Sequence, residues 1–253
     1  MPDALRNPRS TFYSYPGGLP PGVKWLLISN CAIFVADYLA TAAGHGYVFN
    51  DFGLWPRAVL ELPAVWQLVT YMFLHDPHGF SHILWNMLTL WLIGADLERD
   101  WGTRYFLKYY FLCGVGAGIC VVVASYLFGS VDARTIGSSG ALFGLLLAYG
   151  ILYSDRVMLF AFLFPMKAKY LVMILGVISL LGSFGPSGGG ISYVAHLGGM
   201  IFGFLYLKRP RKQLSITEPF RRQYHNWKRR RAKRRFEVYM RRQDSDRPDR
   251  WVN

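Results

Sequence analysis

Long apolar stretches separated by short polar ones make up most of the chain. They run approximately over residues 24–43, 81–97, 105–128, 139–153, 170–181 and 192–207. A helix needs about 20 apolar residues to cross the hydrocarbon core of a bilayer, and the fourth stretch is short for a full span. We interpret the pattern as six membrane-spanning helices. The sequence therefore predicts an all-α membrane protein.

Charge divides the chain into three regions. The 253 residues are 53% hydrophobic but carry a net charge of +13, and the last 46 residues hold 17 Lys/Arg against 5 Asp/Glu. Such an apolar composition is not that of an ordinary soluble domain. We predict an N-terminal tail over residues 1–23, a six-helix membrane core over 24–207 and a basic juxtamembrane tail over 208–253. The three cysteines lie in apolar stretches, so no disulfide framework is expected.

The distribution of basic residues predicts the orientation. Six spans place both termini on one side, and short cytoplasmic loops carry an excess of Lys and Arg. One side of the predicted topology carries the tail together with Arg6, Arg9, Lys24, Arg99, Arg104, Lys108, Arg156, Lys167 and Lys169. The other side carries Arg57 and Arg134. Both termini are therefore predicted to be cytoplasmic, and a bacterial plasma (inner) membrane fits such a chain.

The basic tail has its own predicted partner. The run from Lys228 to Arg235 is flanked by aromatic residues, including Trp227 and Phe236. A basic segment next to the membrane is attracted to anionic headgroups, so we expect membrane lipid to be the partner. Nucleic acid is the disfavoured alternative. A solvated topology signal that binds nothing is the third.

Candidate chemistry starts at the fourth apolar stretch. Ser139 lies in Gly137-Ser138-Ser139-Gly140, directly before that stretch, and His196 is the histidine within the sixth. The amino end of a helix favours negative charge and offers free backbone N–H groups. A serine becomes a nucleophile when a base takes its proton. No acidic residue is near His196 in the sequence, so the prediction is a Ser139–His196 dyad.

Further polar and small residues surround the predicted dyad. His82 and Asn86 are four residues apart and share one face of the second helix, where both can donate to an oxyanion together with the Ser139 backbone N–H. Phe143 shares the face of Ser139 and could stack on the His196 ring. Close approach of the fourth and sixth helices is predicted from two pairs of small residues, which are Gly140 with Gly144 and Gly199 with Gly203.

Three motifs in this order resemble the rhomboid family of intramembrane serine proteases. They are Gly137-Ser138-Ser139-Gly140, His82-Ile83-Leu84-Trp85-Asn86 and the segment from Ala195 to Gly203. The resemblance implies a six-transmembrane-helix bundle and hydrolysis of transmembrane protein substrates. It implies Ser139 as nucleophile, His196 as base and His82, Asn86 and the Ser139 amide as the oxyanion hole. It implies no metal and no cofactor.

The chain departs from the family pattern at two places. Many members have Trp-Arg in the first outer loop where this chain has Trp66-Gln67, which puts the contact of that arginine in doubt. The spacing between His75 and His82 is also longer than usual, which could shift the loop near the active site. Neither departure removes a predicted catalytic group.

Other interpretations of the same residues stay open. Ser139 could be a helix N-cap, His196 a buried structural histidine, and His82 with Asn86 a polar bridge between helices. The alternative function is a catalytically silent rhomboid-like protein that binds transmembrane clients. A small transporter would need a continuous polar path or an inverted repeat, and neither is found. The glycine-rich segment 182–190 is a candidate mobile cap.

Overall fold

Helices form most of the regular structure. The computed structural model describes residues 18–128, 131–160, 164–184 and 189–208. The predicted basic tail beyond Lys208, most of the N-terminal tail and the middle of the candidate cap lie outside these residues. The helices are Pro21–Ala42 (α1), Pro56–Glu61 (α2), Gln67–Thr70 (α3), Phe80–Thr89 (α4), Ala95–Trp101 (α5), Thr103–Phe128 (α6), Ser139–Leu152 (α7), Ala168–Gly182 (α8) and Gly189–Lys208 (α9).

Some of the predicted spans correspond to a single long helix, and others correspond to shorter or interrupted helices. Among the described residues, α1 and α6 are each long and apolar enough to cross a membrane, and the apolar helices α7 and α8 are shorter. The second predicted span is one helical stretch over residues 80–101, in which the π-helical segment Leu90–Gly94 joins α4 to α5. The architecture is that of a mostly helical protein with long apolar helices, and the count of six spans stays a prediction.

A buried carboxylate determines where α1 begins, three residues before the predicted start. Glu98 in the middle of α5 is 2% exposed and accepts hydrogen bonds from the backbone N–H groups of Gly22 and Val23 at 2.8 and 2.7 Å. Thr103 Oγ donates to the same carboxylate at 2.6 Å. The first N–H groups of a helix have no partner within the helix, and proline at the first position lacks one. Glu98 therefore caps α1, and α5 itself continues past the predicted end at Leu97 to Trp101.

A small hairpin interrupts the helical pattern between α7 and α8. Strands Val157–Phe160 (β1) and Phe164–Lys167 (β2) pair antiparallel, with Val157 opposite Lys167. At its base, Asp155 forms ion pairs with Lys167 at 3.2 Å and Lys169 at 2.9 Å. The lysines hold the pKa of Asp155 below its usual value. The sequence analysis did not predict this hairpin, because the segment mixes charged and apolar residues without a clear alternation.

Three helices cross tightly in the core. A side-chain carbon added at Gly199 of α9 would lie 1.8 Å from the carbonyl oxygen of Gly140 of α7. One added at Gly144 would meet Cys113 Sγ of α6 at 2.5 Å. Gly199 thus faces the predicted partner helix, whereas Gly203 faces α6, since a carbon there would meet Tyr109 Oη at 2.4 Å. Helices α6, α7 and α9 therefore approach as closely as glycine permits.

Candidate active site

Ser139 and His196 meet where α7 crosses α9. Ser139 is the first residue of α7, and His196 lies one turn before Gly199 on α9. The close contact of Gly140 with Gly199 brings the two backbones together. Ser139 Oγ and His196 Nε2 are 2.9 Å apart, which is hydrogen-bond distance. The predicted proximity of the two side chains is observed, and their catalytic roles stay a prediction.

Aromatic contacts fix the orientation of the His196 ring. The Phe143 ring stacks on it with centroids 3.9 Å apart and an interplanar angle of 4°. Tyr193 meets it edge-on at 6.1 Å and 89°. On the far side of the ring, Nδ1 is buried and has no hydrogen-bond partner among the described residues. The arrangement is therefore a pair of polar groups rather than a triad within that part of the chain.

The four predicted polar residues line one cavity of about 340 Å³. It is bounded by Tyr71, Ser81, His82, Trp85, Asn86, Thr135, Ile136, Gly137, Ser139, Phe143, Ala195 and His196. Asn86 is 7% exposed, and its Nδ2 atom has no partner among the described residues. The amide N–H groups of Asn86, beside this cavity, are therefore available to bind an anionic oxygen.

Gly137 is required at the rim of this cavity for two reasons. Its φ is +115°, a backbone conformation that residues with a side chain rarely adopt. A side-chain carbon at this position would lie 2.7 Å from His82 Nε2 and 3.7 Å from Asn86 Nδ2. Glycine thus keeps the space beside the two candidate oxyanion donors free of a side chain.

Residues that precede α4 also contribute to the candidate site. The Tyr71 carbonyl accepts the Gly137 N–H at 2.9 Å. His75 is fully buried, and its ring lies 5.0 Å from that of His82. Gln67 is 3% exposed and binds the backbone of residues 51 and 55. In the sequence, Gln67 was noted only because it stands where many family members have the arginine of the Trp-Arg pattern.

Comparison with known proteins assigns the chain to a family. The sequence model of the Rhomboid domain matches residues 63–209, which is more than half of the chain and includes all four polar residues of the cavity. The chain belongs to the rhomboid family. The resemblance stated from the three motifs is thus confirmed, and rhomboid homologues are integral membrane proteins.

Individual rhomboid relatives differ in how much of their length the chain covers. YdcA of Bacillus subtilis, provisionally assigned as a rhomboid protease, is 34% identical over 72% of this chain and 80% of its own length. The rhomboid protease GluP of the same organism is 35% identical over 60% of this chain but only 27% of its own. Mitochondrial rhomboid protein 1 of Saccharomyces cerevisiae is 28% identical over 61% of this chain and 48% of its own length. The relatives thus include named rhomboid proteases.

Proposed function

We propose that this rhomboid is a serine-type endopeptidase that hydrolyses peptide bonds in or near the transmembrane segments of membrane-protein substrates. The observation that carries the proposal is the 2.9 Å separation of Ser139 Oγ and His196 Nε2 at the wall of a polar cavity. Ionisable and polar groups among apolar helices are costly, so they usually have a function. The family membership and the named protease relatives support the same conclusion.

The proposed reaction uses Ser139 as nucleophile and His196 as general base. Ser139 Oγ attacks the scissile carbonyl carbon while His196 Nε2 takes its proton. The tetrahedral intermediate then collapses, the C–N bond breaks, and His196 returns the proton to the leaving amine. Water next attacks the acyl ester, with His196 again removing a proton, and releases Ser139. The Phe143 ring keeps Nε2 directed at Oγ through both steps.

The proposed oxyanion hole consists of the Ser139 backbone N–H, His82 and Asn86. Ser139 begins α7, so its N–H is among the groups that have no partner within the helix. The amino end of α7 adds partial positive charge. Asn86 Nδ2 and the His82 ring border the same cavity. These donors would stabilise the charge that develops on the carbonyl oxygen.

The membrane setting forms part of the proposal. Six spans with both termini cytoplasmic would open the cavity toward the outer face of a bacterial plasma membrane. The exposed ion pair of Arg57 with Asp132 lies at the cavity end of α7, whereas Arg156, Lys167 and Lys169 lie at the opposite end of that helix. That distribution agrees with the positive-inside rule. The basic tail would lie on anionic headgroups of the cytoplasmic leaflet.

Covalent labelling with a fluorophosphonate probe tests the proposed function. The protein in detergent or liposomes should react through Ser139, Ser139→Ala should abolish labelling, and His196→Ala should nearly abolish it. Ser81→Ala is the matched control, because Ser81 lines the same cavity and has no proposed catalytic role. Equal labelling of the unaltered chain and both dyad variants would contradict the proposal.

The rival function, a silent protein that binds transmembrane clients, predicts a different result. A client-binding protein would retain a transmembrane peptide without cutting it, whether or not residue 139 is serine. Incubation with a transmembrane peptide in liposomes, followed by mass spectrometry of the products, separates the two. Cleavage that depends on Ser139 supports the protease, and retention of an intact peptide by the unaltered chain supports the rival.

A further inference from the structure

The side chain of Gln67 joins two outer segments of the chain. Its Oε1 atom accepts the backbone N–H of Trp55 at 3.0 Å, and its Nε2 atom donates to the carbonyl of Asp51 at 3.1 Å. The side chain is 3% exposed. An amide offers one acceptor and one donor group, and both partners here are backbone groups of opposite type. Glutamate or a hydrophobic residue of the same size could not make both bonds.

The segment that Gln67 binds, residues 51–55, also contacts residues 134 and 135, which lie shortly before Ser139 in the chain. Leu54 and Thr135 form an isolated antiparallel bridge, in which each backbone N–H donates to the other's carbonyl at 2.9 Å. The Arg134 guanidinium lies 5.0 Å from the centroid of the Trp55 ring. We refer to residues 51–57, residues 131–137 and Gln67 together as the outer clamp. Displacement of Trp55 would therefore be transmitted to Thr135.

Helix α3 and the turn after it hold the same segment at a second point. Gln67 is the first residue of α3, which continues into the 3₁₀ turn Tyr71–Phe73. The Tyr71 carbonyl accepts the Gly137 N–H at 2.9 Å. Thr135 is thus held through Gln67, and Gly137 is held through Tyr71. Both attachments lie within four residues of Ser139 and beside His82.

We infer that Gln67 is a positioning residue for the oxyanion donors, an inference that rests on the proposed function. It fixes the path of residues 135–137, and this path sets how the peptide plane before Ser139, which carries the Ser139 N–H, is turned relative to His82 and Asn86. Buried hydrogen bonds whose partners are lost leave polar groups unsatisfied, so the segment would shift when Gln67 is replaced. The dyad itself is held by the glycine crossing of α7 with α9 and should stay in place.

The test compares Gln67→Met and Gln67→Glu with the unaltered protein. Misplaced catalytic groups cost up to about 10²-fold and loss of one oxyanion donor about 10²–10³-fold, so we expect Gln67→Met to lower kcat and the fluorophosphonate labelling rate constant about tenfold. KM should change by less than about twofold, since substrate binding is not altered. Gln67→Glu keeps the acceptor for Trp55 and should recover part of the rate.

Two further variants keep the inference falsifiable. Ser29→Ala is the control, because Ser29 Oγ likewise donates to a backbone carbonyl, that of Leu26 at 3.1 Å, but lies in α1 outside the outer clamp; its labelling rate should be unchanged. Arg134→Gln removes the contact with Trp55 at an exposed position and should be safe for folding. Its effect should be smaller than that of Gln67→Met and not additive with it.

Active-site titration separates positioning from a merely structural role. Loss of stability lowers the fraction of protein that labels at saturation but leaves the rate constant of the labelled fraction unchanged. A normal rate constant in both Gln67→Met and Arg134→Gln would overturn this inference while the proposed function stands. Absence of Ser139-dependent labelling in the unaltered chain would overturn the proposed function and this inference with it.

Discussion

Two regions of the molecule position the candidate site, and they do so by different forces. The crossing of α6, α7 and α9 depends on the absence of side chains, since carbons added at Gly140, Gly144 and Gly199 would meet neighbouring atoms at 1.8–2.6 Å. The outer clamp depends on directional polar contacts from Gln67, the Leu54–Thr135 bridge and the pair of Arg57 with Asp132.

The two regions hold different catalytic groups, and each region uses the kind of contact that suits its own groups. The crossing holds the proposed nucleophile and base, whose hydrogen bond tolerates only a few tenths of an ångström. The clamp holds the proposed oxyanion donors, which must accept a carbonyl oxygen that arrives with the substrate. Variants in the crossing should therefore lower stability and reactivity together. Variants in the clamp should lower reactivity with less effect on stability.

The largest effect is expected from Gly199→Ala at the crossing. Its new methyl group would lie 1.8 Å from the Gly140 carbonyl oxygen, so α7 and α9 must separate. Overpacking of this kind costs about 1–3 kcal/mol or more, and labelling of Ser139 should be lost. Thermal unfolding in detergent measures the loss of stability, and labelling with the fluorophosphonate probe measures the loss of Ser139 reactivity. Gly176→Ala is the control, since its methyl group would meet Met200 at an ordinary 3.8 Å; equal behaviour of the two variants would refute the steric account.

Phe143→Leu, in the same region, tests whether the Ser139–His196 dyad needs the stacked Phe143 ring to orient the imidazole. The substitution keeps an apolar side chain but removes the stacked ring at 3.9 Å from His196. Aromatic pairs contribute about 0.5–1.5 kcal/mol beyond burial, so we expect kcat to fall about threefold to tenfold. Steady-state cleavage of a transmembrane peptide measures this change in kcat. An unchanged kcat would mean that the packing of α9 alone orients the imidazole.

Tyr109→Phe isolates one polar contact inside the sterically packed region. Tyr109 Oη donates to the Gly144 carbonyl at 3.0 Å, and the residue is fully buried. Loss of one buried hydrogen bond should lower the free energy of unfolding by about 1 kcal/mol, and kcat should fall modestly along with it. Tyr126→Phe, at a position that is 69% exposed, is the control for chemical unfolding curves. A larger effect on kcat than on stability would contradict the assigned division between the regions.

Asp132→Asn should give the smallest effect, because the pair with Arg57 is exposed and surface ion pairs contribute little. Arg57 holds the pKa of Asp132 below its usual value. A depressed carboxyl pKa contributes stability above the unfolded value of about 3.9, and this contribution is lost as the pH falls through the lower folded value. Unfolding curves of the variant and the unaltered protein should therefore differ slightly at pH 7 and converge at the acid end. A difference that grows toward low pH would contradict this sign.

Sequence reasoning identified the residues of the site better than the elements around it. Ser139, His196, His82 and Asn86 were predicted to meet, and they line one cavity, because each lies in a motif with fixed spacing on a helix. Gln67 and Tyr71 were not predicted to contribute, because they act on backbone atoms of residues 51, 55 and 137. The pattern of side chains along a sequence does not indicate which backbone atoms a given side chain will bind.

Element boundaries were predicted within a few residues where apolar periodicity decides them. The exceptions depend on contacts distant in sequence. Glu98 caps the start of α1, which lies before the predicted start, and the π-helical segment Leu90–Gly94 has no signal in the composition. The β1–β2 hairpin lies in a segment of mixed character. In each case the local sequence allows several structures, and tertiary contacts select one.

The cap of α1 has a consequence for biosynthesis. Glu98 comes more than seventy residues after the N–H groups of Gly22 and Val23 that it binds. The leading turn of α1 therefore lacks these acceptors until residue 98 has been synthesised and α5 has packed against it. The maturation of α1 thus depends on a residue translated well after it.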